Sequence, residues 1–312
     1  MKKITILIPA YNEAPVMDIL FERLDSLVKK VTNYEFEFLF VNDGSRDTTL
    51  DIIKSYAKKD DRVSFINLSR NFGKEIAMIA GLDNCNGDAT VIIDADLQDP
   101  PELIPEMITH WEAGFDDVYA KRRSRKGETW LKKTTSQLFY RLLQKSTDIK
   151  IQRDTGDFRL LDKRVVAAMR QIRDKQRYTK GYFSWVGFKK KELLYDRDPR
   201  AAGESKWNYL KLFNLAIDGI VSFTTAPLRL STIVGVLVSI IAFIFIVIII
   251  VKTALFGDAV EGYPSLMAVI LFLGGVQLMS LGIIGEYIGR IFNETKQRPL
   301  YFIEEYHAKK NN

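Results

Sequence analysis

The chain is organised around the stretch Val91-Ile92-Ile93-Asp94-Ala95-Asp96-Leu97-Gln98-Asp99-Pro100-Pro101. An apolar, strand-forming run ends there at two carboxylates in the pattern Asp94-x-Asp96. Side chains two apart on a strand project to the same side, so both carboxylates can face one point at the strand's end. Two hard oxygen ligands suit Mg²⁺ or Mn²⁺. A simpler interpretation is a solvated turn in which Asp99 caps a helix that begins at Pro100; it explains Asp99 better than it explains the pair.

Strand and helix patterns alternate along the chain's first half. Strands are predicted at Lys3–Pro9, Phe36–Asn42, Val63–Leu68, Thr90–Ile93 and Val118–Ala120. Such alternation predicts an α/β fold with a mainly parallel sheet and helices on both faces. The loops at the carboxyl ends of parallel strands surround one crevice, which is the usual ligand site of such a sheet. The polar residues on these loops are Tyr11, Asn12, Glu13, Asp43, Arg70, Lys74, Asp94 and Asp96.

Two long uncharged segments follow in the C-terminal third, Leu230–Val251 and Tyr263–Gly285. Each has about 22 residues, or roughly 33 Å as a helix, against a hydrocarbon core of about 30 Å. They predict two membrane-spanning helices. A buried core hairpin is the alternative, but it would need a large surrounding domain that the remaining tail cannot provide.

Composition narrows the chemistry further. Among 312 residues, Cys85 is the only cysteine and His110 and His307 are the only histidines. This disfavours an intrachain disulfide, histidine-ligated metals and Ser/His/Asp catalysis. The N-terminal apolar run is too short for a signal peptide, so the first half is expected to stay on the side of the membrane where it is made. The net charge of +6 fits nucleic acid or an anionic membrane surface, and the two spans favour the membrane.

Five motifs occur in order along the chain. They are Ile8-Pro9-Ala10-Tyr11-Asn12-Glu13, Val41-Asn42-Asp43-Gly44-Ser45, Ser69–Glu75, Asp94-Ala95-Asp96-Leu97-Gln98-Asp99 and Thr155-Gly156-Asp157-Phe158-Arg159-Leu160. In this order they resemble glycosyltransferase family 2, of GT-A fold. The match is closer still to its polyprenyl-phosphate subgroup, which includes dolichol-phosphate mannose synthases and bactoprenol glucosyltransferases. The resemblance covers nearly the whole chain and is specific for the family, not for the sugar.

The resemblance implies a donor half of the site. Tyr11 would stack on the uracil of a nucleotide sugar, Glu13 would accept ribose hydroxyls, and Asp43 would accept from the base's ring N–H unless it only forms a turn. Asp94, Asp96 and Gln98 would hold Mg²⁺ or Mn²⁺ against the diphosphate, although Gln98 could instead only shape the loop. The full set of expected nucleotide contacts is Pro9, Tyr11, Asn12, Glu13, Asp43, Lys74, Asp94 and Ala95.

The resemblance also implies an acceptor half. Asp157 would lie near the sugar's anomeric carbon, either as a base or as a residue that orients the acceptor. The expected contacts to the lipid phosphate are Arg122, Arg200, Ser205 and Lys206. Two amphipathic segments, Glu128–Ser146 and Trp207–Phe223, are expected to lie in the membrane interface, with a core helix as the alternative for the first. The segment Arg177–Trp185 mixes aromatic and cationic residues and is expected to form an acceptor loop.

These expectations divide the chain into four parts. Residues 1–125 form the nucleotide-sugar-binding core and residues 126–227 form the acceptor-side region. Residues 228–291 form the two transmembrane helices, and residues 292–312 form a cytoplasmic tail. Positive residues at the outer ends of the helix pair, including Arg229 and Arg290, place both termini in the cytoplasm of a plasma-membrane protein.

The expected function is inverting, metal-dependent transfer of a hexose to polyprenyl phosphate, with UDP-glucose as the first choice of donor. UDP-GlcNAc and GDP-mannose are alternative donors. A processive polysaccharide synthase is disfavoured because the chain lacks a Gln-x-x-Arg-Trp motif. A non-catalytic membrane partner is disfavoured by the intact Asp94-x-Asp96. The expected partners are the donor, the lipid acceptor, membrane lipids and further copies of the chain in a homo-oligomer such as a tetramer; nucleic acid is not expected.

Overall fold

A computed structural model describes residues 1–123, 155–175, 177, 179–196, 225–256 and 262–308. The described residues belong to two compact units, one of Met1–Ala216 with Arg298–Asn312 and one of Ile217–Gln297. The predicted interfacial segments, Glu128–Ser146 and Trp207–Phe223, lie outside the described residues. So do three of the expected lipid-phosphate contacts, Arg200, Ser205 and Lys206.

The first unit is built on an eight-stranded sheet. Its strands are β1 (Lys2–Ala10), β2 (Tyr34–Asn42), β3 (Val63–Leu68), β4 (Ala89–Ile92), β5 (Asp117–Arg122), β6 (Thr155–Asp162), β7 (Lys190–Tyr195) and β8 (Ile303–His307). The order across the sheet is β7-β5-β6-β4-β1-β2-β3-β8. β1 pairs in parallel with β2 and β4, and β2 pairs in parallel with β3. β6 and β8 run antiparallel to their neighbours. The mainly parallel sheet predicted from the sequence is therefore confirmed.

Helices cover both faces of this sheet. They are α1 (Ala14–Lys30), α2 (Thr49–Ala57), α3 (Lys74–Asn84), α4 (Ile104–Glu112), α5 (Lys163–Gln171) and α6 (Thr179–Trp185). Ile4, Ile6 and Ile8 of β1 belong to one core with α1 and α4. Leu7 points to the other face, where a Cβ on Gly81 of α3 would come within 2.0 Å of the Leu7 side chain. Both faces of the central strands are thus buried, as expected for parallel strands that read as continuous apolar runs.

Helix α2 begins later than its sequence pattern suggests. The pattern favours a start at about Arg46, but the helix starts at Thr49. The Asp47 carboxylate accepts hydrogen bonds from the Thr49 backbone N–H (3.1 Å) and hydroxyl (2.6 Å). Asp side chains commonly close such local turns in place of a helical turn. The loop after β2 is consequently longer, and it reaches the loop after β1.

The tail after the C-terminal helices contributes a strand to the sheet. β8 pairs antiparallel with the edge strand β3, and Ser69 N–H donates to the Phe302 carbonyl at 3.0 Å. The Asn67 side-chain amide donates to Glu304 (2.9 Å), and the Tyr301 hydroxyl donates to Asp83 (2.9 Å). Residues 292–312 were expected to form only a cytoplasmic tail, so this strand was not predicted from the sequence.

The second unit contains two long helices, α7 (Ala226–Phe256) and α8 (Tyr263–Thr295). The Ser231 and Ser280 hydroxyls are 2.8 Å apart and link α7 to α8. Among the described residues, one segment, Phe272–Thr295, is long and apolar enough to cross a membrane, with a mean hydropathy of 1.3. A shorter apolar segment, Leu230–Phe245, lies in α7. Large apolar side chains such as Phe243 and Leu278 are exposed in this unit, which fits a lipid environment.

Candidate active site

The predicted donor loops converge at the carboxyl edge of the sheet. Ala10, the last residue of β1, is paired with Asn42, the last residue of β2, so the loops that follow them start side by side. Asn12 has a φ of +55°. Its N–H donates to Ser45 Oγ (3.0 Å), and its side-chain oxygen accepts from the Arg46 N–H (2.8 Å). Thus Asn12 ties the two loops together.

The remaining residues of the first motif surround this link. Pro9 is buried at the end of β1, while Tyr11 and Glu13 are half-buried. The Glu13 N–H donates to the Thr49 hydroxyl at 2.9 Å, at the start of α2. Backbone N–H groups of Asn12 and Glu13 thus join this loop to the segment after β2. Contacts from Tyr11 to a base and from Glu13 to a ribose stay predictions.

Asp43 is buried, and each of its carboxylate oxygens accepts a backbone hydrogen bond. It is 2% exposed, and its two oxygens accept from the Phe72 N–H (2.7 Å) and the Gly73 N–H (2.9 Å). Burial raises the pKa of Asp43 above its ordinary value, and the two N–H donors oppose that rise. These contacts give Asp43 a positioning role on the loop after β3. Its predicted contact to the base stays a prediction.

Two glycines allow this loop to pack closely. Gly44 has a φ of +65°, and a Cβ there would lie 2.5 Å from the Arg70 carbonyl carbon. Gly73 has a φ of +97° immediately before α3 begins at Lys74. Other residues rarely adopt this conformation, and the first position also has no room for a side chain. The turn after β2 and the start of α3 therefore have fixed relative positions.

Lys74 links two of the predicted site carboxylates. Its Nζ lies 2.6 Å from Asp94 Oδ1, 2.7 Å from Asp94 Oδ2 and 2.6 Å from Asp157 Oδ2. Asp94 follows β4, and Asp157 lies near the start of β6, so antiparallel β6 brings its first residues to the same edge. Donor-side and acceptor-side carboxylates predicted separately are thus joined by one ammonium group.

The charges of neighbouring side chains shift the pKa values of Asp157 and Lys74. Burial alone would raise the pKa of Asp157, but the Lys74 ammonium and the nearby Lys180 outweigh it and hold that pKa well below its ordinary value. Burial would lower the pKa of Lys74, but Asp157 and Asp94 outweigh it and hold that pKa above its ordinary value. Both groups are therefore charged at neutral pH. Asp157 Oδ1 is buried and has no hydrogen-bond partner among the described residues.

The loop that carries Asp94 and Asp96 has a distinct geometry. Asp96 Oδ1 accepts from the Gln98 N–H at 3.2 Å, and Leu97 between them has a φ of +60°. Ala95 is buried, whereas Asp94, Asp96 and Gln98 are half-buried. Asp99 is not an exposed turn residue: it is 2% exposed and accepts a hydrogen bond from the Tyr195 hydroxyl of β7. The solvated turn of the simpler interpretation does not fit this buried position, and the role of Asp99 as a helix cap stays a prediction.

Asp94 and Asp96 could supply only some of the ligands that a divalent ion needs. Among the described residues, no group of three or more His, Cys, Asp or Glu side chains could hold a metal ion. Asp94 and Asp96 nonetheless supply hard oxygens on one loop, and an ammonium group already bound to Asp94 shows that the position favours a cation. Magnesium and manganese commonly complete such two-carboxylate sites with substrate phosphates and water. The donor set is therefore compatible with Mg²⁺ or Mn²⁺ bound together with a diphosphate.

On the acceptor side, the structure describes Arg122 and Asp157. Arg122 ends β5, and its guanidinium is the nearest side chain, at 3.9 Å, to a Cβ placed on Gly156. It also hydrogen-bonds Tyr195, the partner of Asp99. Its Nε is buried without a partner among the described residues. Arg122 thus lies beside Gly156, the residue before Asp157 in the sequence, and its contact to a lipid phosphate stays a prediction.

Arg159 is a further residue beside the site that the sequence motifs did not single out. This side chain is fully buried, its Nη1 lies 3.1 Å from Asp117 Oδ2, and its guanidinium carbon is 3.7 Å from the centre of the Phe183 ring. Arg159 and Asp157 are two apart on β6 and project to the same side. An arginine between the apolar residues Phe158 and Leu160 was the available signal, since arginine is rarely buried without a partner.

Helix α6 corrects another expectation. The segment Arg177–Trp185 was predicted to be a loop, but Thr179–Trp185 is helical, and Phe183 is buried. Glu75 of α3 accepts from the Thr179 N–H (2.8 Å) and hydroxyl. Neighbouring residues of α3 therefore do two jobs: Lys74 binds the site carboxylates, and Glu75 anchors α6.

Comparison with known proteins agrees with the motifs. The family model described as "Glycosyl transferase family 2" matches residues 5–170, and the model "GtrB C-terminal hairpin" matches residues 226–291. The chain is 48% identical over 305 residues to an uncharacterized glycosyltransferase of Synechocystis sp., covering 97% of this chain and 95% of that one. It is 45% identical over 302 residues to the prophage bactoprenol glucosyl transferase homolog of Escherichia coli, covering 97% and 98%.

Solved structures are more distant. Mannosyl-3-phosphoglycerate synthase from Rubrobacter xylanophilus is 17% identical, with a TM-score of 0.46, and the match covers 70% of this chain and 71% of that one. The family assignment rests instead on the sequence matches and on the sheet described above. The chain therefore belongs to glycosyltransferase family 2: it is a glycosyltransferase with a GT-A catalytic unit and a GtrB C-terminal hairpin.

Proposed function

We propose that this enzyme transfers a hexose, with inversion, from a nucleotide diphosphate sugar to a polyprenyl phosphate, and that UDP-glucose is the donor. The observation that carries the proposal is the single ammonium group of Lys74 joining Asp94 to Asp157 at the carboxyl edge of the sheet. It supports one continuous site with a donor side and a sugar side. Relatives named bactoprenol glucosyl transferases, 45% identical over nearly the full chain, support a polyprenyl acceptor.

On the donor side, the chain's task is to hold a diphosphate leaving group. Asp43 fixes the loop that precedes Lys74, and Lys74 brings positive charge to the position where the leaving group's negative charge would develop. A preorganised charge of this kind stabilises the transition state more than it stabilises bound substrate. Mg²⁺ or Mn²⁺ bound to Asp94 and Asp96, with or without Gln98, would supply further neutralisation as a Lewis acid.

On the sugar side, Asp157 acts by charge and orientation. Its pKa is held well below the ordinary value, and a carboxylate of low pKa is a weak general base. A phosphate acceptor has a second pKa of about 6 and is largely dianionic at neutral pH. It therefore needs no base before it attacks the anomeric carbon. Asp157 Oδ1, which has no partner in the part of the chain that the structure describes, is suited to accept a hydrogen bond from a sugar hydroxyl.

The membrane part of the proposal concerns the acceptor. The C-terminal hairpin and the apolar segment Phe272–Thr295 support association with a membrane, where a polyprenyl phosphate resides. We infer two spans with both termini in the cytoplasm, so that transfer occurs at the cytoplasmic leaflet. Protease accessibility of a tag after Asn312 in sealed right-side-out and inverted vesicles tests this orientation. Cleavage only in right-side-out vesicles would contradict it.

A donor panel tests the reaction. The purified full chain is mixed with undecaprenyl phosphate, Mg²⁺ or Mn²⁺, and labelled UDP-glucose, UDP-GlcNAc or GDP-mannose. We expect a labelled lipid from UDP-glucose that is sensitive to mild acid and absent without the lipid or after EDTA treatment. Product from another donor alone would replace the sugar assignment. No lipid product from any donor would overturn the transferase proposal. Light scattering of the same preparation tests the expected homo-oligomer.

A further inference from the structure

The Lys74 ammonium group contacts both oxygens of Asp94, a predicted metal ligand, and also one oxygen of Asp157. Its Nζ lies within 2.7 Å of both Asp94 oxygens and 2.6 Å from Asp157 Oδ2. One positive centre therefore has three carboxylate oxygens around it. This is an oxygen environment of the kind that a hard cation prefers.

The backbone before Lys74 is fixed from behind. Asp43 accepts from the N–H groups of the two residues that precede Lys74, and the Gly73 backbone conformation sets the first turn of α3. The backbone of Lys74 is therefore held in place, close enough for its side chain to reach both carboxylates. The Lys74 side chain is 43% exposed, so it also has open space into which it can move.

A divalent ion on Asp94 needs the same oxygens as this ammonium group. Two cations a few ångströms apart repel each other strongly at a half-buried site. We propose that Lys74 is a resident counter-ion that competes with the divalent ion for Asp94, so that the ion binds tightly only together with the donor diphosphate, which receives the displaced ammonium. This inference rests on the metal site of the proposed function.

The other charged groups around Asp157 do not replace Lys74. Lys180 and Arg159 act on Asp157 through space, and Glu75 adds negative charge nearby. Of the described cations, Lys74 is the one with a hydrogen bond to Asp94. Its removal therefore frees both Asp94 oxygens while the carboxylates Asp94, Asp96 and Asp157 remain. The competition predicts that this change strengthens binding of an ion by itself.

The test measures Mn²⁺ binding by electron paramagnetic resonance to the purified full chain, with and without UDP. Without UDP, we expect Lys74→Met to bind Mn²⁺ at least about tenfold more tightly than the natural chain, a difference of about 1.4 kcal/mol. With UDP, the natural chain should gain more affinity than the variant. Lys163→Met is the matched control, because Lys163 pairs with Asp88 at the opposite end of β4. It should leave Mn²⁺ binding unchanged.

The outcomes separate this inference from the proposed function. If the natural chain with UDP binds Mn²⁺ but Lys74→Met binds it no more tightly without UDP, the counter-ion inference is wrong and the metal site stands. If the natural chain with UDP binds no Mn²⁺, both are wrong. Circular dichroism checks the fold of each variant, and Lys74→Gln, which keeps a polar side chain, is measured in the same way should Lys74→Met fail to fold.

Discussion

Two buried carboxylates lie at the same edge of the sheet: Asp43 follows β2, and Asp157 is near the start of β6. They differ in the groups that bind them and in the direction of their pKa shifts. Asp43 uses both oxygens on backbone N–H groups, and burial raises its pKa. Asp157 uses one oxygen on the Lys74 ammonium, keeps the other without a partner among the described residues, and has a lowered pKa. Asp43 therefore holds the loop before α3 through both of its oxygens, whereas Asp157 Oδ1 has no partner among the described residues.

The largest expected effect tests Asp157. Asp157→Asn keeps the shape of the side chain but removes its charge, so we expect turnover to fall by about 10²- to 10³-fold, as for the loss of one preorganised electrostatic group. The dissociation constant of UDP, measured by calorimetry, should change little, because we propose that Asp157 faces the sugar and not the nucleotide. Asp88→Asn, at the opposite end of β4, is the control. Turnover of Asp157→Asn within twofold of the natural chain would remove Asp157 from the mechanism.

The next effect concerns the buried pair behind Asp157. Arg159→Met leaves Asp117 buried without its partner, and breaking such a pair destabilises a protein by about 3–5 kcal/mol. We expect a large drop in the melting temperature of the catalytic unit. Arg159→Met combined with Asp117→Asn should recover much of that loss, because no uncompensated charge then remains. If the double variant is no more stable than the single one, the ion pair is not the cause.

A smaller effect separates Asp43 from Asp157. Asp43→Asn replaces one acceptor oxygen with a donor that faces a backbone N–H, so we expect a loss of stability of about 1–3 kcal/mol. UDP affinity and turnover should fall together, since the start of α3 loses its anchor. Thermal melting and calorimetry measure the two quantities. A variant that keeps its stability but loses UDP affinity would instead support direct contact between Asp43 and the base.

The smallest expected effect concerns a chain of hydrogen bonds that runs from β2, through β3, to β8. Asn42 donates to Asn67 at 2.7 Å, and Asn67 donates to Glu304 of β8 at 2.9 Å. Glu304 is exposed, so Glu304→Ala should cost no more than about 1 kcal/mol of stability and leave UDP affinity unchanged. Chemical denaturation measures this loss. A drop in stability comparable to that of Asp43→Asn would show that β8 belongs to the site's rigid core.

Features that depend on short stretches of sequence could be predicted. The strands and the donor loops follow from apolar runs that end at polar residues, and Asp94 and Asp157 were both identified as site residues. The link between them was not, because Lys74 is 20 residues from Asp94 and 83 from Asp157, and only the antiparallel β6 brings them together. Strand β8 was missed because all five of its residues are exposed, so pairing leaves no apolar pattern in the sequence.

Strand β8 also constrains the order of events during synthesis. Its hydrogen bond from Asn67 to Glu304 joins residues 237 positions apart, and the helices α7 and α8 lie between them in the chain. Domains commonly begin to fold from the N-terminus while the ribosome is still adding residues. Here the outer edge of β3 lacks its β8 partner until the C-terminal hairpin has been translated. The catalytic sheet is therefore completed last, by residues translated after α7 and α8.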